Sequence, residues 1–139
     1  MRVLVLSETD ASCGPMAAAF LMDYSPMIEA VSAGRNPLQN IDPMVVAVMK
    51  ECLADLEGYV PRDEKTIDKT MFDAVYECME KPCPNTMEAY RCWRDEVKNE
   101  SFLFYRNLVR KSSDTHDIPA SPAASPSNPD GNPQQDRMA

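Results

Sequence analysis

The sequence is poor in the side chains that most catalytic and binding chemistry requires. Its single histidine, His116, lies close to the C-terminus, and no lysine or arginine occurs between Arg2 and Arg35. The net charge is −8, so the chain lacks the basic excess that neutralises nucleic-acid phosphates. No run of about 18 consecutive apolar residues occurs, which argues against a membrane-spanning helix. Nucleic-acid binding and membrane insertion are therefore not expected.

The cysteines and the first residues indicate a reducing compartment. The apolar run after Arg2 is too short for the hydrophobic region of a signal peptide, so we expect a cytoplasmic protein. The five cysteines are an odd number and cannot all pair in disulfides. They are Cys13, Cys52, Cys78, Cys83 and Cys92. Reduced thiols are expected at these positions.

The composition changes at residue 112. Residues 112–139 consist mainly of Ser, Pro, Asp, Asn, Gln and Ala, which bury too little apolar surface to offset the entropy lost on ordering. Residues 1–111 are rich in Val, Leu, Ile, Met and Ala, enough for one modest core. The sequence thus predicts a single domain over residues 1–111, a disordered tail over residues 112–139, and a monomer.

Strands and helices alternate along the predicted domain. The sequence predicts four strands, at residues 3–6, 27–31, 72–76 and 89–93; the first is an apolar run typical of a strand buried on both faces, and the last is a short edge strand. Pro15 and Pro43 stand where helices are expected to begin, and residues 102–109 predict the last helix. Because the chain opens as strand, helix and strand, a right-handed parallel crossover is expected. We therefore predict an α/β fold with a small four-stranded parallel sheet, in the order 2-1-3-4, flanked by helices.

Three groups of residues, in this order, resemble a known family. They are Pro15-Met16-Ala17 after a strand and loop; Ser32-Ala33-Gly34 with Asp42-Pro43 and Pro61-Arg62; and Phe72-Asp73 with Cys78 and Cys83-Pro84. Over residues 2–110 the sequence is similar to the low-molecular-weight protein tyrosine phosphatases and the thioredoxin-coupled arsenate reductases. The resemblance implies their phosphotyrosine phosphatase I-like fold. It also implies an oxyanion-binding loop of the form C-x-x-N-x-C-R-S between the first strand and the first helix.

On this loop the chain departs from the family at the catalytic positions. The resemblance places Ser7 at the catalytic cysteine, Asp10 at the asparagine that props the loop, and Cys13 at the arginine that grips phosphate. Gly14 takes the place of the serine that helps to activate the cysteine. No C-x5-R sequence occurs in the chain. Glu8 and Asp10 would also repel a bound dianion. The loop is therefore predicted to be degenerate.

Three functions remain open. The first is a catalytically inactive or altered domain, a pseudoenzyme, that binds a protein partner or a weak small ligand. The second is a divergent thiol redox protein, in which Cys78 and Cys83, with Cys13, replace the cysteine relay of the reductases. The third is an active phosphatase or reductase that uses Ser7 as nucleophile and Asp95, before the last helix, as general acid. No cofactor or metal is expected, because the cysteines lack a fourth ligand at the usual spacing.

Overall fold

The computed structural model describes residues 1–52 and 54–120, with side chains as far as residue 111. The chain divides into a first unit, Met1–Tyr105, and a second unit that begins at Arg106. The first unit contains the whole sheet and every residue of the candidate site. The described part of the second unit consists of the C-terminal turns of the last helix.

Three parallel strands form the sheet of the first unit. They are β1 (Arg2–Ser7), β2 (Glu29–Gly34) and β3 (Ala74–Glu77). The order is β2-β1-β3, and Val3 of the central strand lies opposite Ala30 on one side and Ala74 on the other. The predicted α/β fold with a parallel sheet is confirmed. Within residues 1–52 and 54–120 the sheet has three strands and not four.

Among the described residues there are also three α-helices, and two short 3-10 turns precede β3. The helices are α1 (Cys13–Tyr24), α2 (Pro43–Lys50) and α3 (Met87–Ala120), and the turns are Glu64–Thr66 and Lys69–Met71. Asp42 caps α2, because its carboxylate accepts the N–H of Met44 at 2.9 Å. Pro43 then occupies the first helical position, where its missing N–H costs nothing.

The predicted fourth strand is wrong, because residues 89–93 lie in α3. The helix begins at Met87, and not near Phe102 as the sequence predicts. Tyr90, Trp93 and Val97 are buried at i, i+3 and i+7, so the apolar period over the longer window is helical. The helix also continues to Ala120, past the boundary predicted at residue 112. Residues 121–139, where a disordered tail is predicted, lie outside the described residues.

Both faces of β1 are buried, which explains its uninterrupted apolar sequence. Leu4 and Leu6 lie on one face with Ala33, and the segment before β3 packs Ile67 and Phe72 against them. Val3 and Val5 alternate onto the other face and are fully buried. No described helix is long and apolar enough to cross a membrane.

Candidate functional site

The candidate site is the loop of residues 8–12, which connects the carboxyl end of β1 to the first turn of α1. In parallel α/β sheets this edge is where ligands usually bind. Ser7, the last residue of β1, is fully buried. Its hydroxyl oxygen accepts the N–H of Asp10 at 3.1 Å. This hydrogen bond ties the middle of the loop to the end of β1.

Asp10 is at the centre of the loop and is fully buried. Its φ of 53° is the left-handed conformation that aspartate and asparagine tolerate better than most residues. One carboxylate oxygen, Oδ2, accepts the hydroxyl of Tyr59 at 2.5 Å and the N–H of Arg62 at 2.8 Å. The other, Oδ1, is buried with no hydrogen-bond partner in the part of the chain that is described. Burial raises the pKa of Asp10, and the hydrogen bonds from Tyr59 and Arg62 oppose that rise.

Two glycines allow the loop to pack this closely. A Cβ atom on Gly14 would lie 2.8 Å from the Ser7 hydroxyl oxygen and 3.2 Å from Asp10 Oδ1. A Cβ atom on Gly34 would lie 2.9 Å from the Asp10 nitrogen and 3.0 Å from the Glu8 carbonyl oxygen. Real Cβ atoms rarely approach other atoms so closely. Position 34 therefore requires glycine, because the loop backbone would have to move, whereas a Cβ at position 14 would displace the Ser7 hydroxyl.

The carboxylate of Glu80 reaches the loop from the segment after β3. It accepts the N–H of Thr9 at 2.7 Å and the Thr9 hydroxyl at 2.8 and 2.9 Å. Backbone N–H groups in such a loop, next to a helix N-terminus, are the donors that an external anion would use. In this protein the N–H of Thr9 already binds a carboxylate of the same chain.

The segment between β2 and α2 fixes the loop carbonyls. Four backbone N–H groups donate to loop carbonyl oxygens at 2.8 to 3.1 Å, in the pairs Arg35 to Ser7, Asn36 to Glu8, Leu38 to Thr9 and Asp42 to Ala11. The side chain of Asn36 also donates to the Glu8 carboxylate. These hydrogen bonds hold the backbone of the loop in place.

Two arginines in the neighbouring segments already have partners. Arg35 forms an ion pair with Glu77 at 2.9 Å. The guanidinium of Arg62 lies over the Tyr59 ring, 5.7 Å from its centroid. Neither arginine belongs to the loop, which itself contains the acidic residues Glu8 and Asp10.

Cys13 and Cys78 meet beside the loop. Cys13 begins α1 and is 1% exposed, while Cys78 directly follows β3 and is 9% exposed. The Cys78 thiol lies 3.5 Å from the Cys13 carbonyl oxygen. The neighbouring Cys78 thiol, together with burial, raises the pKa of Cys13. The dipole at the start of α1 would favour a thiolate, but these effects outweigh it.

Cys83 and Asp95 lie apart from the thiol pair. Cys83 is exposed, with its sulfur 4.0 Å from a carboxylate oxygen of Asp42, which also accepts the Tyr90 hydroxyl at 2.7 Å. Asp95 is predicted in a segment before the last helix, but it lies within α3. Its largely exposed carboxylate pairs with Arg94 at 3.0 Å. The structure thus joins Ser7, Asp10, Cys13, Gly14 and Cys78 at the loop, and it places Asp95 on a helix surface.

Tyr59, Thr9 and Glu80 are residues of the site that the sequence does not predict. Tyr59 lies 49 positions from Asp10, and Glu80 lies 71 positions from Thr9. No local pattern marks either residue. The neighbouring Pro61-Arg62 pair was the nearest signal, because it belongs to the family resemblance.

The central β1, the loop at its carboxyl end and the α1 helix that follows define a known fold. It is the fold that arsenate reductases share with low-molecular-weight protein tyrosine phosphatases. Two solved structures share this fold over nearly their whole length. An arsenate reductase in the phosphate-binding state has a TM-score of 0.69 and 17% identity, over 76% of this chain and 97% of that chain. The YwlE arginine phosphatase from Geobacillus stearothermophilus has a TM-score of 0.66 and 18% identity, over 84% and 97%.

A third structure, of a protein tyrosine phosphatase, has a TM-score of 0.63 and 18% identity, over 76% of this chain and 94% of that chain. No protein-family model and no curated protein matches the sequence. At these identities the likeness establishes the fold and leaves the chemistry to be argued from the residues of this chain.

Proposed function

We propose that this chain is a non-catalytic domain of the phosphatase and arsenate-reductase fold, which acts by binding a partner. The main evidence is that carboxylates of the same chain occupy the loop. Asp10 fills its interior, and Glu80 binds the N–H of Thr9. An oxyanion about 5 Å from Glu80 would be disfavoured by about 3 kcal/mol per unit charge at an effective dielectric near 20.

The reacting groups support the same proposal. A serine nucleophile needs a base to accept its proton, and residues 1–111 contain no histidine. The Ser7 hydroxyl oxygen is already bound to the Asp10 N–H. Asp95 is paired with Arg94 on the surface of α3, whereas Ser7 is buried at the end of β1. The loop thus has neither a nucleophile with a base nor a general acid.

Assays of the full-length chain test this proposal. Hydrolysis of an aryl phosphate and reduction of arsenate with dithiothreitol should both stay at background. Ser7→Ala should leave that background unchanged, as should the matched control Ser25→Ala at the end of α1. Turnover that Ser7→Ala abolishes and Ser25→Ala preserves would overturn the proposal. Titration with phosphate should leave the amide signals of residues 7–15 unmoved.

The contact between Cys13 and Cys78 favours a second candidate, a thiol redox protein. The two thiols can form a disulfide if an external disulfide accepts their two electrons and two protons and leaves as two thiols. The sequence pairs Cys78 with Cys83, whereas the structure brings Cys78 to Cys13. The raised pKa of Cys13 slows such exchange, because the thiolate is the reacting form. For this reason it ranks second.

Peptide mapping after oxidation separates this candidate from the first. The full chain is incubated with excess glutathione disulfide, and mass spectrometry then identifies the disulfides. A reversible Cys13–Cys78 bond, lost in Cys78→Ser and retained in Cys92→Ser, would support a redox role. If both thiols stay reduced while the exposed Cys92 becomes glutathionylated, the redox candidate fails.

A cytoplasmic location is part of the proposal. All five cysteines are free. Thiols at exposed positions such as Cys52 and Cys92 persist most readily in a reducing compartment.

A further inference from the structure

A groove lies between the end of β3 and α3. It encloses about 370 Å³. Its apolar lining consists of Tyr76, Met79, Trp93 and Leu103, and three carboxylates line it as well, from Glu77, Glu96 and Glu100. All of these residues belong to the first unit, so the groove lies within one body of the structure.

The apolar lining is unusually exposed at its rim. Met79 is 85% exposed and Leu103 is 49% exposed, whereas Trp93 is buried. Tyr76 stacks on Phe104 with ring centroids 4.7 Å apart, which fixes the position of its ring. Large apolar side chains that are grouped in a concavity usually mark a binding surface. A methionine at the rim adapts to apolar partners of different shape.

The charge of the groove is negative. Glu77 pairs with Arg35, and Glu96 pairs with Lys81, the one lysine of the lining. Glu100 has no ion pair within residues 1–52 and 54–111. Because Glu77 and Glu96 are paired with cations, the carboxylate of Glu100 gives the rim its net negative charge beside the apolar floor. The groove therefore combines a preference for an aliphatic side chain with a preference for a cation.

We propose that this groove docks a short segment of a partner protein that carries lysine or arginine beside an aliphatic side chain. The inference rests on the binding role proposed above and gives it a surface. The aliphatic side chain contacts Met79 and Leu103 above Trp93, and the cation approaches the unpaired Glu100. The carboxylates repel nucleic acid at the same place. Charge complementarity of this kind sets partner choice more than affinity.

The single tryptophan, Trp93, makes the test direct, because it lines the groove and its fluorescence responds to binding there. The full chain, at about 0.15 M salt, is titrated with a short blocked peptide in which lysine and leucine alternate. Two matched peptides replace leucine by serine or lysine by glutamate. The lysine–leucine peptide should give a saturable change in emission. The other two peptides should bind at least several-fold more weakly.

Variants then locate the binding. Glu100→Gln should weaken the lysine–leucine peptide by about threefold to fivefold, the range of an exposed ion pair. Leu103→Ser should weaken it as well. The control is Glu29→Gln, which removes the same charge at the amino end of β2, together with the ion pair to Arg2. Glu29→Gln should leave the affinity unchanged, and this outcome supports a specific acidic groove.

Several outcomes would overturn the inference. Equal weakening by Glu100→Gln and Glu29→Gln would show attraction to the net charge alone. Equal binding of the glutamate–leucine peptide would show an apolar groove without charge preference. An absence of saturable binding up to millimolar peptide would also overturn it. A dimer detected by light scattering, and disrupted by Leu103→Ser, would overturn it as well, because a second copy of the chain would then occupy the groove. None of these results bears on turnover, which is decided by the phosphatase and reductase assays.

Discussion

Replacing Asp10 by alanine is expected to lower the free energy of unfolding by about 2–5 kcal/mol. The change removes the acceptor of the part-buried Arg62 N–H, and a donor left without its acceptor costs about 1–3 kcal/mol. Alanine at a φ of 53° adds about 1–2 kcal/mol. Loss of the hydrogen bond from Tyr59 adds little to this cost, because the Tyr59 hydroxyl keeps its hydrogen bond with the Ser32 hydroxyl at 2.6 Å. The sum is a large part of the 5–15 kcal/mol typical of a domain.

Asp10→Asn is the matched variant. Its amide oxygen can still accept the Arg62 N–H, and asparagine tolerates the left-handed conformation. The expected loss is about 1 kcal/mol or less. Urea unfolding, followed by circular dichroism and Trp93 fluorescence, measures both variants. An alanine variant within about 0.5 kcal/mol of wild type, or an asparagine variant as damaged as alanine, would refute the role of the carboxylate as the support of the loop.

The pH dependence of the free energy of unfolding, compared between the wild type and Asp10→Asn, gives a second check on the role of Asp10. Burial raises the pKa of Asp10 in the folded protein above the value of about 3.9 in the unfolded chain. The folded state therefore holds the Asp10 proton more tightly. The contribution of Asp10 to stability is full below about pH 3.9 and falls as the pH rises through the folded pKa. Relative to Asp10→Asn, the wild type should be most stable in acid. A relative stability that grows with pH would contradict this.

Three further results are expected. Gly34→Ala should cost about 1–3 kcal/mol in urea unfolding, because its Cβ meets loop backbone at 2.9 Å, and an unchanged stability would contradict the close packing. Three exposed thiols should react quickly with a thiol reagent in the folded protein, namely Cys52, Cys83 and Cys92. Cys13 and Cys78 should react only on unfolding, so fast labelling of either would show an open loop. Two arginines of α3 lower the pKa of Glu51 to about 2, so its stabilising effect is present above about pH 4.3 and is lost as the pH falls through 2. Glu51→Gln should therefore lower the Tm near pH 7 but not below pH 2, and equal effects at both pH values would count against the ion pairs.

Local features of the sequence predicted much of the fold. The uninterrupted apolar run of β1 indicated a strand buried on both faces, and the structure confirms its central place. Asp42-Pro43 predicted the start of α2 because a cap and a first-turn proline act within four residues. The acidic loop without a cation was equally visible in the sequence. Such features follow from neighbours in the chain and need no knowledge of the fold.

Only the tertiary structure decided what the loop contacts. The carboxylate of Glu80 reaches Thr9 across 71 positions, and the thiol of Cys78 reaches Cys13 across 65. Residues 89–93 became part of α3, and not a strand, because burial of Tyr90 and Trp93 on one helical face outweighs the local preference of a short aromatic segment. Contacts of this kind depend on the crossover that places β3 beside β1, and the free energy that selects them belongs to the packed core and not to any single segment.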